Sequence, residues 1–498
     1  MSVAEKLAYH AKQQPNHLIT QFNGRNTTYA EFYEQAKRLA GYFQLKGYQK
    51  EDIIAVYLNN SDYFLVCYYA CQLGGFSVMP VNTKLAAPEV EYIFTHSEAK
   101  ALIYDTEMES ILNEVPEAFT RFKDYLQVGG KDTFAEVIVD KSIQFKEQKI
   151  EDDTTTVVFY TSGTTGKPKG VMLTVGNVEA AAEIWGESMG LNGDDRMQIV
   201  TPLFHCAASH VLSIPVIYAG GTIVIEEAFS KELTMNTLEQ ENITIFFGVP
   251  AMYSILLNTP RMRELQLPNL RLFTYGAAPM PYELVKKVKT LYPNVKVQNL
   301  YGQTENSPAA TSLLDHQALE KIGSVGAPLP RTQVQVVDEF GKPLPVGLVG
   351  EIVVKGPQVM KGYLKNEEAT TRTLKDGWLY SGDLGRFDED GLLYIVDRKK
   401  DMINRSGENV YPVEVEEVLY QIPELLEGAV IGIPHEIYGE VPKAFVVLKE
   451  GQQLSEQDII AFCSKRLAKY KLPHEVELVG SLPRNASGKV LKNVLRNK

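Results

Sequence analysis

Positive charge is what this sequence lacks overall: 50 Lys and Arg stand against 62 Asp and Glu, a net charge of −12. That balance leaves no basic face for general nucleic-acid binding and excludes that class of function. Cysteine is scarce. The four present, Cys67, Cys71, Cys206 and Cys463, show neither metal-ligand spacing nor a disulfide framework, so a reducing, cytoplasmic location is expected. Cys67 and Cys71 lie four apart in an apolar run, as core thiols on one helix face do. Long hydrophobic runs are short and interrupted. Residues 63–81 carry no charge and are about long enough to span a bilayer, but Gln72, Gly74-Gly75 and Pro80 make a short buried helix followed by a strand. Residues 203–225 contain His205 and His210 and break at Gly220-Gly221. No transmembrane segment and no secretory leader are expected, and a peripheral membrane contact stays open.

At 498 residues, 44% hydrophobic and 22% charged, the chain is an ordinary globular one, too long for one core. Up to about residue 330, helix-like and strand-like segments alternate: Thr28 precedes an amphipathic run to Lys46, Ile53–Tyr57 reads as a strand, Asp62–Leu73 as a helix and Phe76–Pro80 as a strand. Such alternation specifies an α/β layer fold. Gly and Pro then punctuate short strands, giving a β-rich subdomain over about 325–396. A separate α+β unit follows, with helices expected at Pro412–Gln421 and Glu456–Lys469, the latter with a Ser455/Asp458 capping box. Strands Gly428–Ile433 and Lys443–Lys449 pair between them. The expected domains are 1–396 and 397–498, with a hinge near 397–400.

Chemistry concentrates first in Tyr160-Thr161-Ser162-Gly163-Thr164-Thr165-Gly166-Lys167-Pro168-Lys169-Gly170. Three glycines, four hydroxyls and two lysines in eleven residues, after the strand-like Thr154–Val158, bring backbone N–H groups, donors and charge to an anion. The common nucleoside-triphosphatase loop is excluded, because Gly163 to Lys167 is too short and Pro168 follows the lysine. A surface hairpin built of turn residues remains the plain alternative. Three other strands run into polar loops: residues 197–201 into Pro202-Leu203-Phe204-His205, 271–274 into Gly276-Ala277-Ala278-Pro279, and 295–299 into Tyr301-Gly302-Gln303-Thr304-Glu305. Ligands of open α/β sheets bind beyond the carboxyl ends of strands, where these four loops are expected together.

If the first loop holds the phosphates of ATP, magnesium is required, and Glu305 is the natural hard-oxygen ligand. Asp383, in Tyr380-Ser381-Gly382-Asp383, could accept from ribose hydroxyls, and Tyr301 offers a flat face to adenine. Lys489, in Pro483-Arg484-Asn485-Ala486-Ser487-Gly488-Lys489 beyond the hinge, is a cation that could enter or leave such a site. From Ala461 to Lys498 there are nine Lys/Arg against two Glu, a local positive charge suited to an anionic substrate.

Taken together, YTSGTTGKPKG, PLFH, GAAP, YGQTE, YSGDL, DRKKDMINRSGENVYP and PRNASGK resemble the acyl-adenylate-forming enzymes, in order and over nearly the whole chain. The resemblance implies a large N-terminal domain of two α/β sheets plus a β-subdomain, and a small α+β lid. It implies a two-step reaction: a carboxylic acid attacks ATP to give acyl-AMP and pyrophosphate, and coenzyme A then displaces AMP. By motif, Thr161, Ser162, Gly163, Thr164, Thr165, Gly166, Lys167 and Lys169 would hold phosphates, and Gly276, Ala277, Ala278, Tyr301 and Gly302 would surround adenine. Thr304 would contact the α-phosphate; Glu305, with Thr161, would bind magnesium; Asp383 and Arg398 would hold ribose. Lys400 falls at the hinge position, Gly407 at the loop lining the pantetheine tunnel, His205 beside the acyl pocket, and Lys489 at the adenylation lysine. Fatty acyl-CoA synthetases are the most similar branch; an aryl-CoA ligase or a stand-alone enzyme loading a carrier protein are the rivals. Acyl choice is expected between Trp185 and Gly276, at Ala207, Ser209, Phe247, Val249 and Tyr253. Monomer and homodimer are both compatible with the sequence.

Overall fold

The computed structural model describes residues 1–161, 167–399, 401–406, 408–484 and 490–496. The chain forms two compact units, one of Met1–Val334 with Val354–Leu379, the other of Gln335–Val353 with Tyr380–Lys498.

The first unit contains two α/β sheets, as the alternating pattern predicts. One runs Ser324–Pro328, Thr311–Leu313, Lys296–Tyr301, Leu272–Gly276, Ile245–Gly248, Arg196–Ile199, Thr222–Ile225, Leu18–Phe22, Arg25–Thr28. The other runs Gly362–Tyr363, Lys169–Thr174, Thr155–Thr161, Ser77–Pro80, Ile53–Tyr57, Ala101–Asp105, Asp124–Val128. The strands from Arg196 to Tyr301 pair in parallel and are largely buried, as covered parallel strands are, with Gln198, Thr274, Gln298 and Asn299 as buried polar residues among them.

Local signals set the helix boundaries. Thr28 caps Tyr29–Leu45 with Glu31 completing the box, and Thr174 with Asn177 does the same for Val175–Met189, which ends on left-handed Gly190. Asp62–Gly74 has no polar face. Twelve of its residues are buried, Cys67 and Cys71 among them, so it is an interior helix. Among the described residues no helix is long and apolar enough to cross a membrane.

The second unit has a ladder of Gln333–Val337 (entering it at residue 335), Gly350–Lys355, Trp378–Phe387 and Leu393–Arg398. Its other sheet has Leu425–His435 antiparallel to Gly439–Leu448, with Glu475–Leu478 parallel on the far edge of the latter. The Ser455/Asp458 box forms, but the helix stops at Ser464 rather than Lys469. Lys469–Lys471 forms a separate short 3-10 turn, and the Arg405 guanidinium donates to the carbonyl of Tyr470 there at 2.8 Å.

Candidate active site

In the first unit, register brings two of the polar loops together. Tyr275 and Gly276 lie opposite Asn299 and Leu300 on adjacent parallel strands, so the GAAP and YGQTE loops leave the sheet side by side. Gly276 is required there: a Cβ would lie 2.5 Å from the Leu300 carbonyl oxygen. Gly302 is likewise closed in by the backbone of Pro308. Ala277 adopts φ +66°, a left-handed conformation that costs a non-glycine residue on the order of 1–3 kcal/mol and is characteristic of ligand-binding turns. Ala277 and Ala278 are exposed. Thr304–Asn306 is a single 3-10 turn that presents Glu305.

The PLFH loop is set by Asn60, which is buried. Its amide donates to the carbonyls of Thr201 at 3.0 Å and Glu226 at 3.1 Å, and its oxygen accepts from Leu203 N–H at 2.7 Å. His205 follows. Its Nε2 is buried without a hydrogen-bond partner among the described residues, and burial lowers its pKa to about 4, so the ring is neutral at neutral pH. Next comes a π-helical segment, Ala207–Ser213, a geometry that often marks functional sites. Ser209 Oγ donates to the His205 carbonyl at 3.1 Å. His210 hydrogen-bonds Tyr68 at 2.7 Å in a fully buried pair.

The glycine- and lysine-rich loop belongs to the other sheet. Thr155–Thr161 pairs antiparallel with Lys169–Thr174, Thr161 opposite Lys169, so the loop closes a hairpin and does not lead into a helix. The four polar loops are therefore divided, three on one sheet and one on the other. The alternation after Lys169 (Val171 and Leu173 buried, Met172 half-buried) continues a strand, which is why no helix forms there.

One side chain joins the two sheets. Tyr363 sits opposite Val171 on the short strand beside Lys169–Thr174. Its ring carries the Lys169 ammonium 4.2 Å from the centroid, a cation–π contact. Its hydroxyl donates to Glu305 Oε1 at 2.9 Å. Burial, with the Glu305 charge beside it, raises the Tyr363 phenol, which therefore remains a donor. Burial pulls the Lys169 ammonium below its ordinary value, opposed by Glu305. Lys167 rests in turn 5.4 Å from the Tyr92 ring centroid, Tyr92 stacks on His96, and His96 hydrogen-bonds Tyr160 at 2.7 Å. Tyr92, His96 and Tyr363 were not singled out by sequence reasoning; no local pattern marks them.

In the second unit, Asp383 and Arg398 are register partners, and Arg398 Nε lies 3.1 Å from Asp383 Oδ1. Asp383 is buried. Ser162, Gly163, Thr164, Thr165, Gly166, Lys400, Gly407 and Lys489 lie outside the described residues.

Magnesium fits the donor set. Among the described residues no group of three or more His, Cys, Asp and Glu could hold a metal on its own, and magnesium bound with a nucleotide needs only one or two carboxylates besides the phosphate oxygens. Glu305, one oxygen fixed by Tyr363, is such a carboxylate.

A lysine-bearing hairpin close to a carboxylate is an arrangement suited to a magnesium-bound phosphate group. The profile of the AMP-binding enzyme family matches residues 7–364, and that of the AMP-binding enzyme C-terminal domain matches residues 414–489. Feruloyl-CoA synthase of an Amycolatopsis species is 36% identical over 489 residues, spanning 98% of this chain and 97% of that protein. The long-chain-fatty-acid–CoA ligase FadD13 of Mycobacterium tuberculosis is 36% identical over 469 residues, 94% of this chain and 92% of that one. The crystal structure of ATP-bound MatB from Rhodopseudomonas palustris superposes with TM-score 0.92 at 31% identity, covering 100% of this chain and 99% of that one. The chain belongs to the AMP-binding enzyme family, that is, to the acyl-adenylate-forming superfamily. It is an AMP-forming CoA ligase, and ATP, magnesium and coenzyme A, expected from the sequence, are the small molecules that go with that class.

Proposed function

We propose that the acid this ligase activates is a medium- or long-chain fatty acid. The observation that carries the reading is the character of the residues at the positions expected to choose it. Ala207, Ser209, Phe247, Val249 and Tyr253 are uncharged. The two hydroxyls among them are already used internally, Ser209 on the His205 carbonyl and Tyr253 on the Thr274 carbonyl at 2.9 Å. Residues whose polar atoms are satisfied by the backbone suit an alkyl chain, which asks for no hydrogen bond. A second reading, an aryl acid, is favoured by the free Nε2 of His205, which could meet a ring substituent. The relatives do not separate the two, since the feruloyl and the long-chain enzymes are equally similar at 36% identity.

In the proposed reaction, Thr161 to Lys169 take the phosphates and Glu305, with Thr161, takes the magnesium that neutralises them. Gly276, Ala277, Ala278, Tyr301 and Gly302 enclose adenine, and Asp383 with Arg398 holds the ribose. The acid carboxylate attacks the α-phosphorus and pyrophosphate leaves. Thr304 and Lys489 stabilise the charge on the α-phosphate as that bond exchange proceeds. Residues near 397–400, with Lys400 at the centre, form the hinge between domains 1–396 and 397–498. Gly407 lines the path by which the coenzyme A thiol reaches acyl-AMP, displacing AMP. The alternative acceptor is a separate carrier protein.

The test is a panel of acids (octanoate, palmitate, benzoate, ferulate) with ATP and coenzyme A, scored by AMP release. AMP formed fastest with octanoate or palmitate supports the reading; AMP formed only with the aryl acids replaces it with the second, and ADP in place of AMP overturns the chemistry. Acid-dependent pyrophosphate release with no AMP or thioester formed on adding coenzyme A points to a carrier acceptor.

A further inference from the structure

Asn60 links the two sheets of the first unit. It follows the strand Ile53–Tyr57 of one sheet and precedes the buried helix Asp62–Gly74. Its carboxamide reaches the other sheet just beyond the neighbouring strands Arg196–Ile199 and Thr222–Ile225, where Ile199 stands opposite Ile225. There the amide group donates to the carbonyls of Thr201 at 3.0 Å and Glu226 at 3.1 Å, and the oxygen accepts the Leu203 N–H at 2.7 Å. All four residues are buried. A buried backbone group that loses its partner is costly, and one carboxamide serves three of them.

Two of these bonds flank Pro202, whose ring fixes its own φ. The Pro202 carbonyl in turn accepts the His205 N–H at 3.0 Å. On the other side, the His205 carbonyl accepts from Ser209, from its N–H at 3.3 Å and its Oγ at 3.1 Å, within the π-helical segment. The backbone of His205 is thus held from both directions, and the turn that holds its N–H is held by Asn60. The ring nitrogen Nε2 is buried and has no hydrogen-bond partner among the described residues. An unpaired buried nitrogen on a backbone tied this closely is suited to a ligand.

We propose that Asn60 is a positioning residue for the acid: borne by one sheet, its carboxamide holds the Thr201–Leu203 turn of the other and so sets where the His205 ring meets the acid. The inference rests on the function proposed above and on the place of His205 beside the acid. Asn60 touches no substrate in this account; it acts through His205. Its loss should therefore weaken the use of the acid and leave the use of ATP unaltered. A merely structural asparagine would lower the amount of folded enzyme, which reduces the rate but moves neither KM.

The experiment compares Asn60→Ala, Asn60→Ser, His205→Ala and the double variant Asn60→Ala/His205→Ala with the parent enzyme. Initial rates of acid-dependent pyrophosphate release are measured while the panel acid that the parent uses best and ATP are varied in turn. Amide hydrogen exchange at Leu203 is a further readout that needs no activity. Asn60→Ala is expected to raise the acid KM about tenfold, below the roughly hundredfold loss a misplaced group can cause, with the ATP KM within about twofold of the parent. Leu203 exchange should accelerate. Asn60→Ser, whose hydroxyl with a bridging water can reach part of the same backbone and which guards against an Asn60→Ala that fails to fold, should show the same split to a smaller degree. In the His205→Ala background, Asn60→Ala should raise the acid KM no further, because residues that act through one another are not additive. Additive effects, equal rises in both KM values, or unchanged Leu203 exchange in both Asn60 variants overturn the proposal. An acid KM unmoved by His205→Ala refutes the place given to His205 and the proposal with it. A parent enzyme that releases pyrophosphate with no acid refutes the function instead, while Leu203 exchange still decides whether Asn60 holds the turn.

Discussion

Tyr363→Phe separates the two contacts through which one tyrosine joins the sheets. The ring survives, so Lys169 keeps the face it sits on at 4.2 Å; the hydroxyl is lost, so Glu305 Oε1 gives up its 2.9 Å donor. A hydrogen bond to a charged group is worth about 1.5–3 kcal/mol. Water can replace part of it, since Glu305 is half-buried rather than enclosed. If about half is lost as orientation of the carboxylate, the cost is about 1.4 kcal/mol, or a tenfold weaker grip on magnesium–ATP. Calorimetric titration with ATP, with and without magnesium, measures this without turnover. The expected result is about a tenfold rise in Kd with magnesium and little change without it. Tyr363→Leu, which also takes the ring from Lys169, should weaken binding in both conditions. If Tyr363→Phe binds magnesium–ATP as the parent does, or loses affinity equally with and without the metal, Tyr363 does not organise Glu305 for the metal.

Lys489→Ala should abolish adenylation, read as acid-dependent pyrophosphate release, yet spare thioester formation from supplied acyl-adenylate; equal loss of both would remove the assignment of that lysine. Lys400→Pro should do the reverse, and unchanged coenzyme A-dependent turnover would remove the hinge. Gly276→Ala drives a methyl against the Leu300 carbonyl oxygen, 2.5 Å away, and should cost about 1–3 kcal/mol in urea denaturation, since a backbone neighbour cannot swing aside; an unchanged midpoint would show that the strands part easily. His205 and His210, with pKa values lowered by burial to about 4 and about 3 from 6.5, are neutral when folded and protonated when unfolded across that interval. Stability should therefore fall as pH drops from about 6.5 towards 4, on the order of 3 kcal/mol per ring; a urea midpoint flat over that range would place these rings in wetter surroundings.

What was legible in the sequence was local. Thr28 and Ser455 announce their helices because each capping box spans three residues, and Asp62–Gly74 announces its burial by having no polar face. The motif-bearing loops were legible for the same reason. The carboxyl-end rule expected all four together, and the sequence left open whether Tyr160 to Gly170 closes a hairpin; the antiparallel pairing of Thr155–Thr161 with Lys169–Thr174 decides it. Tyr363 was illegible because its meaning lies in Glu305, 58 residues away, and in a ring face that no spacing encodes. Asn60 is the same case, 143 residues from the Leu203 N–H it accepts. The basic tail is a similar case. Its charge is plain in the composition, but the partners of Lys492 and Arg496, Glu416 and Asp401, are 76 and 95 residues away by position, and no local pattern encodes them.

The scarcity of cysteine has a consequence for an enzyme that makes a mixed anhydride and hands it to a thiol. An acyl-adenylate does not distinguish one thiolate from another; it acylates whichever arrives. Cys206 directly follows His205, at the place proposed for the acid, and would be the first rival to coenzyme A. All four cysteines are buried. Burial raises the thiols of Cys67, Cys71 and Cys206 well above their ordinary range and that of Cys463 to about 11. Since the thiolate is the nucleophile, burial holds each cysteine in its less reactive thiol form and so disfavours self-acylation.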